Sequence, residues 1–350
     1  MTPSCAKSGY DASMNEYEPY VVANDALGCH ETLEARMDRD GYLFLRDLVN
    51  RSTVDRLRGD IRALLIERGY VEDDPDLELK WTGRLPDPKV IGLSAPIQRQ
   101  ISDMDSMRAL VESDDLRSML RTLFDGEVFT WVENLDRVRI QFQDVSVTNV
   151  GGQQAPFATP AHQDGYHFPV PFYSVWIPLM DIDLAIGGLA VRAGSHTEGL
   201  QQHWWHGGRY LGIPDTVEQA QAFEREGGVV VAGEVDPSAR PKIWLRSDYR
   251  VGDVVVFHPR LVHRGVGNTS PQLRLSVDLR YSKQGDPLVW QAQCRLYECH
   301  AWLEQARRCL DAMPIEGSVA DRAWELMRRT GPSDAIEVGE QAREMVDRVK

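Results

Sequence analysis

The sequence predicts a mainly β fold, a sandwich or jelly roll, with helices at both ends. From Val128 onward at least seven short segments alternate or run apolar at strand length. Glycine and proline clusters separate them, and helical periodicity is confined to the stretches before and after. Many short strands broken by such turns suit two sheets packed on one core.

Taken in order, residues 1–30 are polar and aperiodic and read as a mobile or loosely docked arm. Glu31 to Asp40 has helical character, and Gly41-Tyr42-Leu43-Phe44-Leu45 reads as a short strand. Ser52 or Thr53 is placed to cap the next helix, whose Val54, Leu57, Ile61, Leu64 and Leu65 form one apolar stripe. Asp73 to Lys89 is acidic and proline-bearing, a surface loop, and helical segments follow near 103–112 and 113–124. The strand candidates are Val138–Gln143, Val145–Thr148, Tyr173–Leu179, Gly187–Val191, Val229–Val231, Lys242–Leu245, Asp253–Phe257 and Leu273–Tyr281. Helical patterns return at 301–312, 319–329 and 334–349. The expected organisation is the arm, a single domain over 31–300 carrying an insertion at 197–250, and C-terminal helices over 301–350 packed on that domain.

A chain of 350 residues with 42% hydrophobic content can bury a large core. Its formal charge of −14 argues against nucleic acid or an anionic membrane as partner and leaves a small-molecule substrate. No apolar run reaches membrane-spanning length and no secretion signal is evident, so a cytoplasmic location is expected. The five cysteines, Cys5, Cys29, Cys294, Cys299 and Cys309, are scattered as in a reducing compartment. The C-x4-C-H-x8-C spacing beginning at Cys294 is not that of a zinc knuckle, which favours structural cysteines.

His162-Gln163-Asp164 is the first candidate site. In an extended strand residues two apart share a face, so imidazole and carboxylate can grip one metal ion. Alone, the pattern is better explained by a loop histidine bonded to an aspartate. The segment Gly252 to Asn268 shifts that balance, because a buried strand ends at Phe257 and His263 follows its turn. Two imidazoles and one carboxylate then occupy one side of an octahedral ion, the arrangement of non-haem Fe(II) oxygenases. His258 competes for the third place, but Pro259 directly after it favours a packing or capping role. Arg274, eleven residues beyond His263, has a planar guanidinium suited to a carboxylate, and Ser276 adds a hydroxyl on the same strand face. Arg274 is one of 39 basic residues, so its position relative to His263 carries the argument.

With these residues in place, the chain resembles the phytanoyl-CoA dioxygenase family of Fe(II)/2-oxoglutarate oxygenases. The resemblance includes Arg39-Asp40-Gly41-Tyr42-Leu43-Phe44-Leu45-Arg46, His162-Gln163-Asp164, Phe168-Pro169, Trp176, Gly188-Leu189 and Ala193-Gly194-Ser195-His196. It continues through Phe257-His258-Pro259, Leu261-Val262-His263, Asn268-Thr269 and Arg274. It implies a double-stranded β-helix (cupin-like jelly roll). It also implies Fe(II) on His162, Asp164 and His263, the distal carboxylate of 2-oxoglutarate on Arg274, and O2 as the oxidant. Trp176 matches an aromatic lining the co-substrate pocket, against the alternative of a core tryptophan. His196 falls in a structural turn of the family. A carboxylate at Asp164, where related halogenases have a small residue, implies hydroxylation; desaturation, epoxidation and ring closure stay open.

The chain departs from the family where the strand before the metal loop often carries a lysine; Asn149 or Gln143 is the candidate for that polar role. Tyr166, His167 and Trp204 are further candidates for substrate contact. The 197–250 stretch, opening with His203-Trp204-Trp205-His206, reads equally as a lid or as a locally packed insertion. Two other classes stand beside the oxygenase: a cupin-type metalloenzyme that ignores 2-oxoglutarate, and a non-catalytic small-molecule binder. Nothing in the sequence marks a CoA site, and a polar small metabolite of specialised metabolism is the expected substrate.

Overall fold

The computed structural model describes residues 17–76, 78–84, 95–130, 138–141, 147–148, 154–155, 158–166, 171–207, 209–234 and 243–286. The segment read as a loose arm is built into the fold from residue 17. Strand β1 (Tyr17–Glu18) pairs in parallel with a later strand, and Tyr20, Ala23 and Ala26 are buried in the core. Aromatic and small apolar residues among the polar ones anchor it. Helix α1 (His30–Asp40) buries Leu33 and Met37, one turn apart, and stops at Gly41, whose φ of 78° is left-handed. A side chain at Gly41 would overlap the His196 ring and Leu261. Strand β2 (Tyr42–Leu45) leads to helix α2 (Arg51–Glu67). Its cap is Asn50 rather than Ser52 or Thr53: the Asn50 amide oxygen accepts the Ser52 N–H at 2.9 Å. The α2 stripe Val54, Leu57, Ile61, Leu64 and Leu65 is buried as the periodicity requires.

Helix α3 (Ala95–Ser102) was not expected; α4 (Asp105–Val111) and α5 (Asp114–Phe124) match the two helical segments. Then come β3 (Val128–Thr130), β4 (Val138–Gln141), the paired β5 (Val147–Thr148) and β6 (Gln154–Ala155), β7 (Tyr173–Pro178) and β8 (Gly188–Val191). Strands β9 (His203–His206) and β10 (Arg209–Gly212), helix α6 (Val217–Arg225) and β11 (Val229–Ala232) make up most of the insertion. Strands β12 (Trp244–Leu245), β13 (Val254–Phe257), β14 (His263–Val266) and β15 (Arg274–Lys283) complete the described chain.

The larger sheet runs β2-β13-β7-β15-β3, with β4 also paired to β15; the smaller runs β1-β12-β8-β14. Together they are the double-stranded β-helix core. Strand β15 shows the logic: Leu275, Val277, Leu279 and Tyr281 are buried in the core, and Arg274, Ser276, Asp278 and Arg280 form the opposite row. The insertion adds its own three-stranded sheet, β10-β9-β11. Cys294, Cys299, Cys309 and the C-terminal helical patterns lie outside the described residues; Cys29 is exposed.

Candidate active site

The two histidines are held by the backbone before any ligand chemistry is considered. His162 N–H donates to His263 O at 2.9 Å, and His263 N–H returns to His162 O at 3.0 Å. Their rings lie 4.0 Å apart, centre to centre. Each Nδ1 meets a carbonyl two residues upstream, Pro160 O at 2.8 Å and Leu261 O at 3.0 Å. A carbonyl only accepts, so both rings carry the proton on Nδ1 and turn the Nε2 lone pair toward the site.

The His162-x-Asp164 motif is not one extended strand. His162 makes a single bridge to β14, and Asp164 opens a 3-10 turn ending at Tyr166. Gly165 N–H ties that turn to Pro259 O at 2.8 Å. The bend still brings the carboxylate to the rings: Asp164 Oδ1 lies 3.7 Å from His162 Nε2 and 3.8 Å from His263 Nε2. All three ligand atoms fall within 4.8 Å of one another. Donor atoms about 2.1 Å from a shared ion sit at most about 4.2 Å apart, so the two Asp164–histidine separations admit one metal.

Two residues that the sequence reading missed set the carboxylate. Ser174 Oγ donates to Asp164 Oδ2 at 2.5 Å, and Arg280 Nη2 donates to Oδ1 at 3.2 Å. Ser174 on β7 faces Arg280 on β15 in register, so one cross-strand pair grips both oxygens. Burial alone pushes this carboxyl up. The Arg280 charge, with the Ser174 hydrogen bond, opposes that, and the carboxyl is held well below the usual range. The sequence contained a signal for Arg280, which shares the parity of Arg274 in an alternating strand.

Arg274 is buried at the start of that row and donates to Gly188 O at 3.0 Å. Ser276 is 0% exposed, and its hydroxyl finds no hydrogen-bond partner among the described residues. A buried guanidinium beside an orphaned hydroxyl is the donor set a carboxylate needs, so these residues fit the distal end of 2-oxoglutarate. Trp176 shares the inward face of β7 with Ser174, but its ring is packed edge-on against Tyr249 at 4.7 Å within the core. His258 is a turn cap: its Nδ1 accepts the Arg260 N–H at 3.0 Å. Burial, then His196 and Arg260, lower its pKa to about 4. His196 Nε2 contacts Asp38 O at 2.9 Å, tying its turn to α1.

The insertion is seated on the metal loop. Tyr166 stacks on His203 at 4.5 Å, His203 on Tyr210 at 6.0 Å, and Tyr210 Oη donates to Ala161 O at 3.0 Å. Trp204, a candidate for substrate contact, is turned away from His203 by strand alternation, and its ring lies 6.1 Å from that of Phe223 in α6. The face toward Tyr210 belongs to His203 and Trp205, the latter at 5.4 Å. Gln143, Asn149 and His167 lie outside the described residues. Among the described residues no helix is long and apolar enough to cross a membrane.

Known proteins resemble this chain over most of its length. The family model described as phytanoyl-CoA dioxygenase (PhyH) matches residues 37–276. The 1-deoxypentalenic acid 11-beta-hydroxylase of Streptomyces exfoliatus is 27% identical over 270 residues, covering 75% of this chain and 84% of that protein. The peroxisomal phytanoyl-CoA dioxygenase of Mus musculus is 25% identical over 293 residues, covering 77% and 74%. Among solved structures, the epimerase SnoN in complex with Fe3+, alpha ketoglutarate and nogalamycin RO superposes at a TM-score of 0.47. It is 18% identical, with 72% of this chain and 83% of that chain covered. More than half of this chain thus matches one family, and the His162–Asp164–His263 cluster could hold a metal ion. The chain belongs to the phytanoyl-CoA dioxygenase (PhyH) family and is a non-haem Fe(II)- and 2-oxoglutarate-dependent oxygenase.

Proposed function

We propose that the protein hydroxylates an unactivated C–H bond of a small metabolite, releasing succinate and carbon dioxide. In this reading His162, Asp164 and His263 hold Fe(II), and Arg274 with Ser276 receives the distal carboxylate of 2-oxoglutarate. The observation that carries it is the convergence of two Nε2 lone pairs and one carboxylate oxygen, with Arg274 buried on the adjoining strand row. The bound iron, 2-oxoglutarate and dioxygen supply the oxidising power. The protein's residues keep the ligands on one face, fix the co-substrate at its far end and exclude water.

Tyr166, His203, Trp205 and Tyr210 form an aromatic wall beside the metal loop, and the partly exposed Asp278 and Arg280 supply polar contacts on the opposite strand row. That mixture suits a compact, partly apolar metabolite with polar substituents, and the hydroxylase named for its action on 1-deoxypentalenic acid supports a substrate of that size. The test is anaerobic reconstitution with Fe(II) and 2-oxoglutarate followed by oxygen. Charge-transfer absorbance and succinate formation are expected, with ¹⁸O from O2 appearing in a hydroxylated product once a substrate screen scores. Absence of both absorbance and succinate would sink the reading.

A further inference from the structure

Gln163 stands between two of the ligands, yet its side chain serves other segments. It is 0% exposed. Its Nε2 donates to Arg260 O at 2.6 Å and to Gly199 O at 2.9 Å, and its Oε1 accepts the Gln201 N–H at 2.8 Å. Its own backbone N–H donates to His203 Nε2 at 3.3 Å. The amide has one possible orientation, because reversing it would aim oxygen at two carbonyls. Arg260 lies three residues before His263, while Gly199, Gln201 and His203 carry the chain into β9. One buried side chain therefore joins the metal loop, the turn that delivers the third ligand and the root of the insertion.

We propose that Gln163 is a positioning residue that couples the insertion wall to the iron ligands. Displacement of the wall at Gly199 and Gln201 is felt at the peptide between His162 and Asp164, and metal binding in turn stiffens the wall. Glutamine fits this role because it offers two donors and one acceptor from one planar group at this reach. Glutamate would set a carboxylate against two carbonyls, and asparagine is one methylene shorter. Any ligand-driven change in the wall is then registered at the metal, which makes the insertion part of the site's specificity rather than an appendage. The inference rests on the triad as the metal site.

The experiment uses the full chain and Mn(II) alone as probe, with Gln163→Met and Gln163→Glu beside the wild type. Mn(II) affinity is measured by calorimetry, and amide hydrogen exchange is followed over 199–206 with and without metal. Loss of a group that orients metal ligands costs about 10- to 100-fold in affinity, and that weakening is expected for both variants with near-ultraviolet circular dichroism unchanged. Coupling is reciprocal, so Mn(II) should slow exchange of the 199–206 amides in the wild type and lose at least half of that effect in Gln163→Met. A folded variant with wild-type Mn(II) affinity, or with undiminished metal-induced protection, overturns the proposal. Wild-type protein that binds no Mn(II) overturns the metal reading instead. Should both variants fail to fold, Gln163→Asn, which keeps the amide but falls one methylene short of Gly199 and Gln201, replaces them; undiminished metal-induced protection there also overturns it.

Discussion

Arg280 donates to the Asp164 oxygen that faces both imidazoles, 3.2 Å from Nη2 to Oδ1, from the strand position directly across from Ser174. A carboxylate with a 5% exposed side chain is thereby held ionised and oriented before a cation arrives. The guanidinium acts as its resident counter-charge, so removing Arg280 and adding a metal have opposite effects on the same group.

Arg280→Leu should therefore destabilise the metal-free protein by about 3 kcal/mol, the usual cost of orphaning one half of a buried ion pair. Saturating Mn(II) should recover part of that loss by supplying the missing charge, and Arg280→Lys should lose less than the leucine variant. Urea unfolding with and without Mn(II) measures both effects. Equal stability of Arg280→Leu and wild type without metal would refute the counter-charge role.

If the guanidinium receives the far carboxylate as proposed, Arg274→Ala should weaken 2-oxoglutarate binding by about 2–4 kcal/mol while leaving metal affinity within about threefold. Ser276→Ala should cost about 1 kcal/mol in the same titration, the value of one buried hydrogen bond. Charge-transfer absorbance against 2-oxoglutarate concentration separates the two affinities. Parallel loss of metal and co-substrate binding would count against the assignment.

His258 predicts an acid limb in stability. Its pKa falls from about 6.5 unfolded to about 4 folded, so the unfolded chain binds the extra proton first. Its contribution is complete above about pH 7 and is lost as pH falls from 6.5 through 4, amounting to about 2 kcal/mol after allowance for partial solvent access. Thermal melts of His258→Gln between pH 4 and 7.5 should show a shallower acid decline than wild type; superimposable declines would exclude His258 as the source.

Gly41→Ala should cost more than about 2 kcal/mol, because the new Cβ meets a left-handed φ and the His196 ring at once. Denaturant midpoints read this directly. A change below about 0.5 kcal/mol would mean that the His196 turn yields freely.

The α2 stripe and the β15 alternation were legible because burial follows period 3.6 and period 2, and those periods are written in residue type. The clustering of His162, Asp164 and His263 was legible because histidine is scarce, nine in the chain, and one of them sits two residues from an aspartate. What escaped notice depends on pairings between distant strands. Ser174 and Arg280 become partners only through the β7–β15 register, and Gln163 looks like an inert spacer until Gly199 and Arg260 are beside it. Trp204 and Trp205 were indistinguishable in the sequence because residue identity alone does not say which face of β9 looks at the metal loop. The built-in segment after residue 17 escaped because a two-residue strand and three small buried contacts leave no periodic trace.

The reciprocal backbone hydrogen bonds between His162 and His263 have a consequence for the life cycle of the enzyme. Where metal and fold assemble together, losing the ion means losing the structure. Here the bridge between His162 and β14 sets the spacing of the rings through main-chain contacts that no ion supplies. Iron is accordingly expected to be a replaceable part: a chelator should strip an oxidised ion and leave a scaffold that takes up a fresh ferrous one, with the melting curve of the apoprotein unchanged over repeated cycles.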